Sequence, residues 1–265
     1  MKHIVAILGV GIVFLGACFS FTSSTPAPKN VFITQPEGKY NCESPSETQD
    51  WINPFPKGGL GTVYTTSEKV NPQGNKLFKV KQNSIEVLYD WKGNKAPFGI
   101  ITTKKAYSAF NLELEYKWGK RKFAPRLNAK RDAGILFHIQ GKKVVWPSSL
   151  ECQIQENDTG DLWVIKGPKV TVIEKDSTET ILDSGGEQSF LQNVKYDNYE
   201  TSSWNKIRLE VRGAESAKFF VNDKLVNEIK DFKDNAGKVL NKGLIALQAE
   251  GAELTYRNVK IQEVK

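Results

Sequence analysis

Helical periodicity is nearly absent once the first few dozen residues are past. Short stretches that alternate apolar and polar side chains replace it, separated by Gly, Asn, Asp and Pro. A period of two puts every apolar side chain on one face of an extended strand, and that face must be covered by another layer. Asn111 to Trp118 shows the pattern most plainly: Leu112, Leu114, Tyr116 and Trp118 share one face, and Glu113, Glu115 and Lys117 share the other. In Gly134 to Gln140, Ile135, Phe137 and Ile139 are expected inward, with Leu136 and His138 on the opposite face. Leu150 to Gln155 sets Leu150, Cys152 and Ile154 against Glu151, Gln153 and Gln155. Lys206 to Arg212, Gly243 to Ala249 and Leu254 to Val264 read as further strands, and Asn222-Asp223 between two apolar runs predicts a hairpin. Asn157 to Asn205 is less regular and predicts loops with one or two short strands, while Pro54 to Gly61 reads as a rigid turn cluster. Strands at this spacing, with turn residues between them, predict an all-β sandwich or barrel.

The N-terminus has a different character. Lys2 and His3 precede an apolar run from Ile4 to Leu15. That run is shorter than the ~20 apolar residues a transmembrane helix needs, so it reads as an export signal rather than a span. It ends in Leu15-Gly16-Ala17-Cys18, which resembles a bacterial lipobox and implies cleavage before Cys18 with a lipid carried on that residue. An ordinary signal peptide with an incidental Cys18 is the alternative. Residues 1–17 are therefore set aside as signal, and residues 18–35, rich in Ser, Thr and Pro, as a tether. Residues 36–265 are expected to form one sandwich domain. The net charge of +7 would suit nucleic acid, but the export signal argues against that and no nucleic-acid partner is expected; a solvated basic surface without a partner is the plainer reading, and anionic headgroups or acidic glycans are the alternative. No acidic run follows Cys18, which favours the periplasmic side of a membrane. Of three cysteines, Cys42 and Cys152 lie in the domain, where an oxidising compartment permits a bridge without the spacing indicating one. With only His3 and His138 in the chain, a site built on several histidines is excluded.

The polar faces carry the chemistry. Glu151, Gln153 and Gln155 project together, His138 projects from a neighbouring segment, and Glu113, Glu115 and Lys117 from a third. If these strands share a sheet, one face holds acids, amides, an imidazole and an ammonium, with Trp146, Trp163 and Tyr107 close in sequence. Planar amides and carboxylates bind sugar hydroxyls and flat aromatic faces stack on sugar rings. An ordinary solvated sheet face would look similar. Lys117 to Arg131 holds seven basic residues (Lys117, Lys120, Arg121, Lys122, Arg126, Lys130 and Arg131), and reads as a loop at the edge of a cleft or simply a solvated loop, with Arg131 beside Asp132.

Thr102-Thr103-Lys104-Lys105-Ala106-Tyr107, followed by Phe110, Leu112 and Glu115-Tyr116-Lys117-Trp118, is one of several blocks that together resemble a known family. Further blocks are Ala124-Pro125-Arg126, Lys130 to His138, and Trp146-Pro147 with Glu151, Gln153-Ile154-Gln155-Glu156, Asp158 and Gly160-Asp161. Trp204-Asn205, Val221-Asn222-Asp223-Lys224, Leu247 to Gly251 and Tyr256-Arg257-Asn258 complete the series. In this order they resemble the 3-keto-disaccharide hydrolase domain (DUF1080) family over roughly Asn75 to Lys265. The resemblance implies a concanavalin A-like jelly roll of two antiparallel sheets. It also implies cleavage of glycosides already oxidised to a ketone at C3. That ketone acidifies the C2 hydrogen, a base removes it, the C1 oxygen leaves, and water adds to the enone.

By position, Glu151 and His138 are the expected acid–base pair. Gln153 and Gln248 are expected on sugar hydroxyls, Arg131 or Lys117 against the enolate, and Trp146 and Trp163 as stacking walls. Glu250, Asp158 and Asp161 are second candidates for acid–base or binding roles, and a divalent metal on Glu151 and His138 would act as a Lewis acid. Two other readings stay open. A jelly roll can bind glycans without cutting them. A conventional glycosidase needs two flanking carboxylates, but laminarinase-type enzymes carry E-x-D-x-x-E on one strand, and Glu151 to Glu156 has Gln153 where that pattern has aspartate.

Overall fold

The alternating segments are strands in a computed structural model of the chain, which describes residues 49–55, 63–65, 74–142, 144–186 and 189–265. The expected signal, Cys18, the tether, Cys42 and most of the Pro54 to Gly61 cluster lie outside the described residues. Sixteen strands and one short helical turn follow in order: β1 (Val63–Thr65), α1 (Gly74–Leu77), β2 (Phe78–Val80), β3 (Ser84–Val87), β4 (Gly99–Thr102), β5 (Ala109–Lys122), β6 (Asp132–Gln140), β7 (Ser148–Gln155), β8 (Leu162–Ile165), β9 (Lys169–Ile173), β10 (Glu179–Asp183), β11 (Phe190–Asn193), β12 (Asn205–Arg212), β13 (Ser216–Val221), β14 (Lys224–Lys233), β15 (Leu244–Ala249) and β16 (Ala252–Glu263). Among the described residues no helix is long and apolar enough to cross a membrane.

Two antiparallel sheets hold these strands. The seven-stranded sheet runs β1-β4-β15-β6-β7-β8-β11, and the nine-stranded sheet runs β10-β9-β14-β13-β12-β5-β16-β3-β2. Leu112, Leu114, Tyr116, Ile207, Leu209 and Val211 from the larger sheet and Ile135, Phe137, Leu150, Cys152 and Ile154 from the smaller one bury between them in a common core. The hairpin at Asn222-Asp223 closes β13 onto β14 with both turn residues at positive φ (49° and 63°), a conformation that Asn and Asp tolerate and that matches strand twist. The irregular stretch after β7 holds four strands (β8 to β11), more than the one or two expected. They are short, and β10 is largely exposed, so little alternation marks them in the sequence.

The two sheets differ on their outer faces. β5 buries every second residue, the signature of one wet face. β6 and β7 bury nearly every residue, so the outer face of the smaller sheet is covered too. Part of that cover is a small second apolar cluster of Ile100, Leu136, Val145 and Ala246, with Phe98, Ile139 and Trp146 packed on it.

β6 departs from simple alternation at His138. The β6–β7 register shifts between Phe137 and Gln140, and His138 takes φ 49°. A β-bulge of this kind turns the next side chain to the other face. Phe137 and His138 therefore both face the core, and Ile139 moves to the outer cluster. Gly243 on the adjoining chain makes room for the bulge, because a methyl group there would collide with the His138 backbone.

Candidate functional site

The outer face of the smaller sheet is a lattice whose rows can be read from strand register. One row runs Ala246, Leu136, Glu151, Trp163 across β15, β6, β7 and β8. One pleat along, Gly134 of β6 pairs with Gln153 of β7, and Asp132 pairs with Gln155 in the row beyond. Gln248 of β15 lies on the other side of Gly134, and the absent side chain there shapes the site. A Cβ on Gly134 would stand 2.8 Å from the Glu151 carboxyl carbon and closer still to oxygens of Glu151 and Gln248. Glycine thus lets the Glu151 and Gln248 side chains fold down over the sheet from either flank.

A pocket of about 210 Å³ opens on this lattice, lined by Arg126, Asp132, Trp146, Glu151, Gln153, Gln155, Trp163, Ile165, Phe190 and Glu250. Three carboxyl groups share it. Burial, with Glu250 and Asp132 nearby, pushes the Glu151 carboxyl well above the usual range. Glu250 is raised to about 8, by burial first and by Asp132 second, although Trp146 Nε1 donates to its Oε1 at 2.8 Å and favours the ionised form. Asp132 is raised to about 6 by burial, and the Arg126 guanidinium, ion-paired to Asp132 Oδ2, opposes that rise. Low-dielectric surroundings and like charges both disfavour ionisation, so all three acids keep their protons to higher pH than an exposed carboxyl does. Buried polar atoms without partners lie around them: Gln153 Oε1, both side-chain polar atoms of Gln248, and Trp163 Nε1. Buried polar groups are nearly always hydrogen-bonded, and each exception costs about 1–3 kcal/mol. Their gathering in one place marks a surface prepared for a polar ligand.

Of the residues expected at the site, Glu151, Gln153, Trp146, Trp163 and Glu250 line this pocket, and Gln248 sits beside it over Gly134. His138 does not join them. It is fully buried on the inner side of the sheet among Phe110, Phe137 and Phe232, and its Nε2–H donates to Gly213 O at 2.9 Å. Burial lowers it to about 4, a neutral core imidazole. Glu151 and His138 stand on opposite faces of one sheet, so they form neither an acid–base pair nor a shared metal site. Among the described residues no three Asp, Glu, His or Cys groups are placed to hold a metal ion.

Lys117 lies on β5, which belongs to the other sheet. Arg131 ion-pairs with Glu156 instead of facing the pocket, and the guanidinium that reaches Asp132 is Arg126. Asp158 pairs with Lys130 at 2.7 Å in the turn after β7. Asp161 is buried but engaged: it accepts from Gln192 Nε2 at 2.8 Å and from the Lys195 backbone N–H at 3.0 Å, tying down the segment after β11. Cys152 is a free thiol in the core. Asp132, Gln155 and Arg126 also line the pocket, although the sequence assigns them no role there. The first shares the face of Gly134 and Leu136 by alternation, and the second shares that of Glu151, so both carried a signal. Phe190 and Ile165 carried none, lying in short strands of the irregular stretch.

No curated protein matches the chain. Among solved structures it is similar to two proteins of Parabacteroides distasonis ATCC 8503, each provisionally described as a glycosyl hydrolase. One is 15% identical, with a TM-score of 0.50 over 81% of this chain and 94% of that one. The other is 18% identical, with a TM-score of 0.49 over 81% of this chain and 99% of that one. The sandwich is the jelly roll expected of the sequence. The model of the 3-keto-alpha-glucoside-1,2-lyase-like domain matches residues 50–262, and the chain belongs to that family.

Proposed function

We propose that the protein cleaves glycosides whose sugar ring carries a ketone at C3, by elimination and rehydration. Glu250, its carboxylate supported by the Trp146 N–H, takes the proton from C2. The electron pair enters the enolate and then forms the C1–C2 double bond as the C1–oxygen bond breaks. Glu151, kept protonated by its burial, gives its proton to the departing oxygen. Water then adds across the double bond: its hydroxyl goes to C1, C2 regains the proton held by Glu250, and Glu151 recovers one from the water. Asp132 and Arg126 form a compensated pair at the side of the pocket. The unpartnered amides of Gln153 and Gln248 are suited to ring hydroxyls.

The observation that carries this reading is the coexistence, over one pocket, of an acid held protonated and a second carboxyl poised near working pH. Environments that push neighbouring titratable groups apart are how a site separates its acid from its base. The family's name points the same way. The test is incubation of the protein with 3-keto-trehalose, 3-keto-sucrose and 3-keto-lactose beside their unoxidised parents. Release of 3-keto-glucose from the oxidised sugars alone is expected, with kcat/KM rising toward an acid limb near pH 8 as Glu250 ionises. Saturable binding of sugars without turnover would make the site a glycan-binding surface and overturn the elimination.

A further inference from the structure

The pocket is too small for a whole disaccharide. Its volume of about 210 Å³ falls below the roughly 300–1,000 Å³ of sites that enclose a drug-sized ligand. On the chemistry proposed above, the oxidised ring has to reach Glu250 and Glu151. It therefore occupies the enclosed part, and the leaving group stays at the mouth.

The lining divides in the same sense. Arg126, Asp132, Gln153, Gln155 and Glu250 make one side polar, and they come from β6, β7 and the segments that flank β6 and β15. The other side is apolar and comes from the edge of the sheet. Ile165 of β8 and Phe190 of β11 are direct cross-strand partners there. Phe190 lines the pocket and is still 42% exposed, on an edge strand whose outward residues reach solvent. Lys166 Nζ lies 5.6 Å from its ring centroid and helps to hold its orientation. An aromatic ring held at the rim of a polar pocket is a stacking surface for whatever projects from that pocket.

We propose that Phe190, backed by Ile165, is the platform for the leaving group, and that it takes a group with a flat apolar face. An aryl aglycone and the apolar face of a second sugar ring both have that chemistry. The proposal rests on the elimination reading for which end of the substrate is buried.

Three 3-keto-glucosides of one anomeric configuration test it, bearing methyl, 4-nitrophenyl or glucosyl leaving groups. KM is the quantity compared, because nitrophenolate departs more readily whatever it stacks on. The wild type is expected to favour the ring-bearing substrates over the methyl glycoside by about three- to tenfold in KM. Phe190→Ala raises KM for the ring-bearing substrates more than for the methyl glycoside and so abolishes that preference, and Phe190→Trp restores it. A preference for nitrophenyl alone identifies aryl aglycones, and a preference for both admits sugars. If Phe190→Ala handles all three as the wild type does, the platform is overturned. If the wild type cleaves none of them, the elimination is overturned instead. The affinity of unoxidised 4-nitrophenyl glucoside for wild type and Phe190→Ala then decides the platform, and equal affinities reject it.

Discussion

The two outer faces of this sandwich both carry glutamates and treat them in opposite ways. On the nine-stranded sheet, Glu113 stands between Lys260 at 3.0 Å and Lys206 at 3.9 Å. Glu115 accepts from Arg257 and Asn258, and Lys218 meets Glu228 at 3.1 Å. Arg257 stacks 3.6 Å over Trp204 as well. These charges are paired and partly in water, and Arg257 holds Glu115 below the usual carboxylate range. On the seven-stranded sheet, Glu151 and Glu250 are buried with other carboxyls and are raised. The larger hollow, about 560 Å³, lies on the paired face and is lined by Trp51, Glu113, Glu115, Lys206 and Lys260 among others. The smaller pocket lies on the other, beside the unpartnered side-chain atoms of Gln153 and Gln248. On the proposed reading volume misleads here, and what points to the smaller pocket is its cluster of unpartnered amides beside raised carboxyls.

The sharpest way to break this comparison is to remove one raised acid. Glu250→Gln should lower kcat by about 10²–10⁴-fold, the usual contribution of a general base. It should also alter the pH dependence of stability. A carboxyl raised in the folded protein favours folding at pH below its unfolded value, and that contribution is lost as pH rises through about 8. The wild type should lose melting temperature between pH 5 and pH 9 faster than the variant does. Parallel melting curves would show that Glu250 is not buried with its proton.

Gly134→Ala is the next largest change. The new methyl group displaces the Glu151 and Gln248 side chains without removing either. An activity loss of about a hundredfold is expected, as for misplacement of a reacting group by an ångström, with the fold retained by circular dichroism. Full activity would mean that the carboxyl need not lie over the sheet. The smallest effect belongs to the paired face. Glu115→Gln should leave turnover unchanged and cost less than about 1 kcal/mol in denaturant unfolding. A large loss of activity there would move the site to the other sheet.

Much of this contrast is legible in the sequence. Alternation in β5, β7 and β12 assigns inward and outward residues correctly, and the block around Glu151 marks the site strand. Alternation says which residues share a face of one strand, however, and not which sheet that strand joins. Lys117 and Glu151 both point outward on their strands, yet β5 and β7 lie in different sheets. Nor does it reveal a bulge: a single residue at positive φ turns His138 from the polar face into the core, and histidine carries no strong signal for that conformation. Arg126 and Arg131 stand in one basic loop, and only the path of that loop decides which of them meets Asp132. Phe190 sits on a strand of four residues, too short to show a period.

That short strand has one more consequence. Among the described residues β11 is the last strand of its sheet, paired on one side alone, whereas the carboxyls proposed to do the chemistry rest on interior strands or directly beside them. Changes at Phe190 disturb few neighbours, and changes at Glu151 or Gly134 disturb many. On the proposed reading, the parts of the protein that determine what is cut and how it is cut can therefore diverge at different rates.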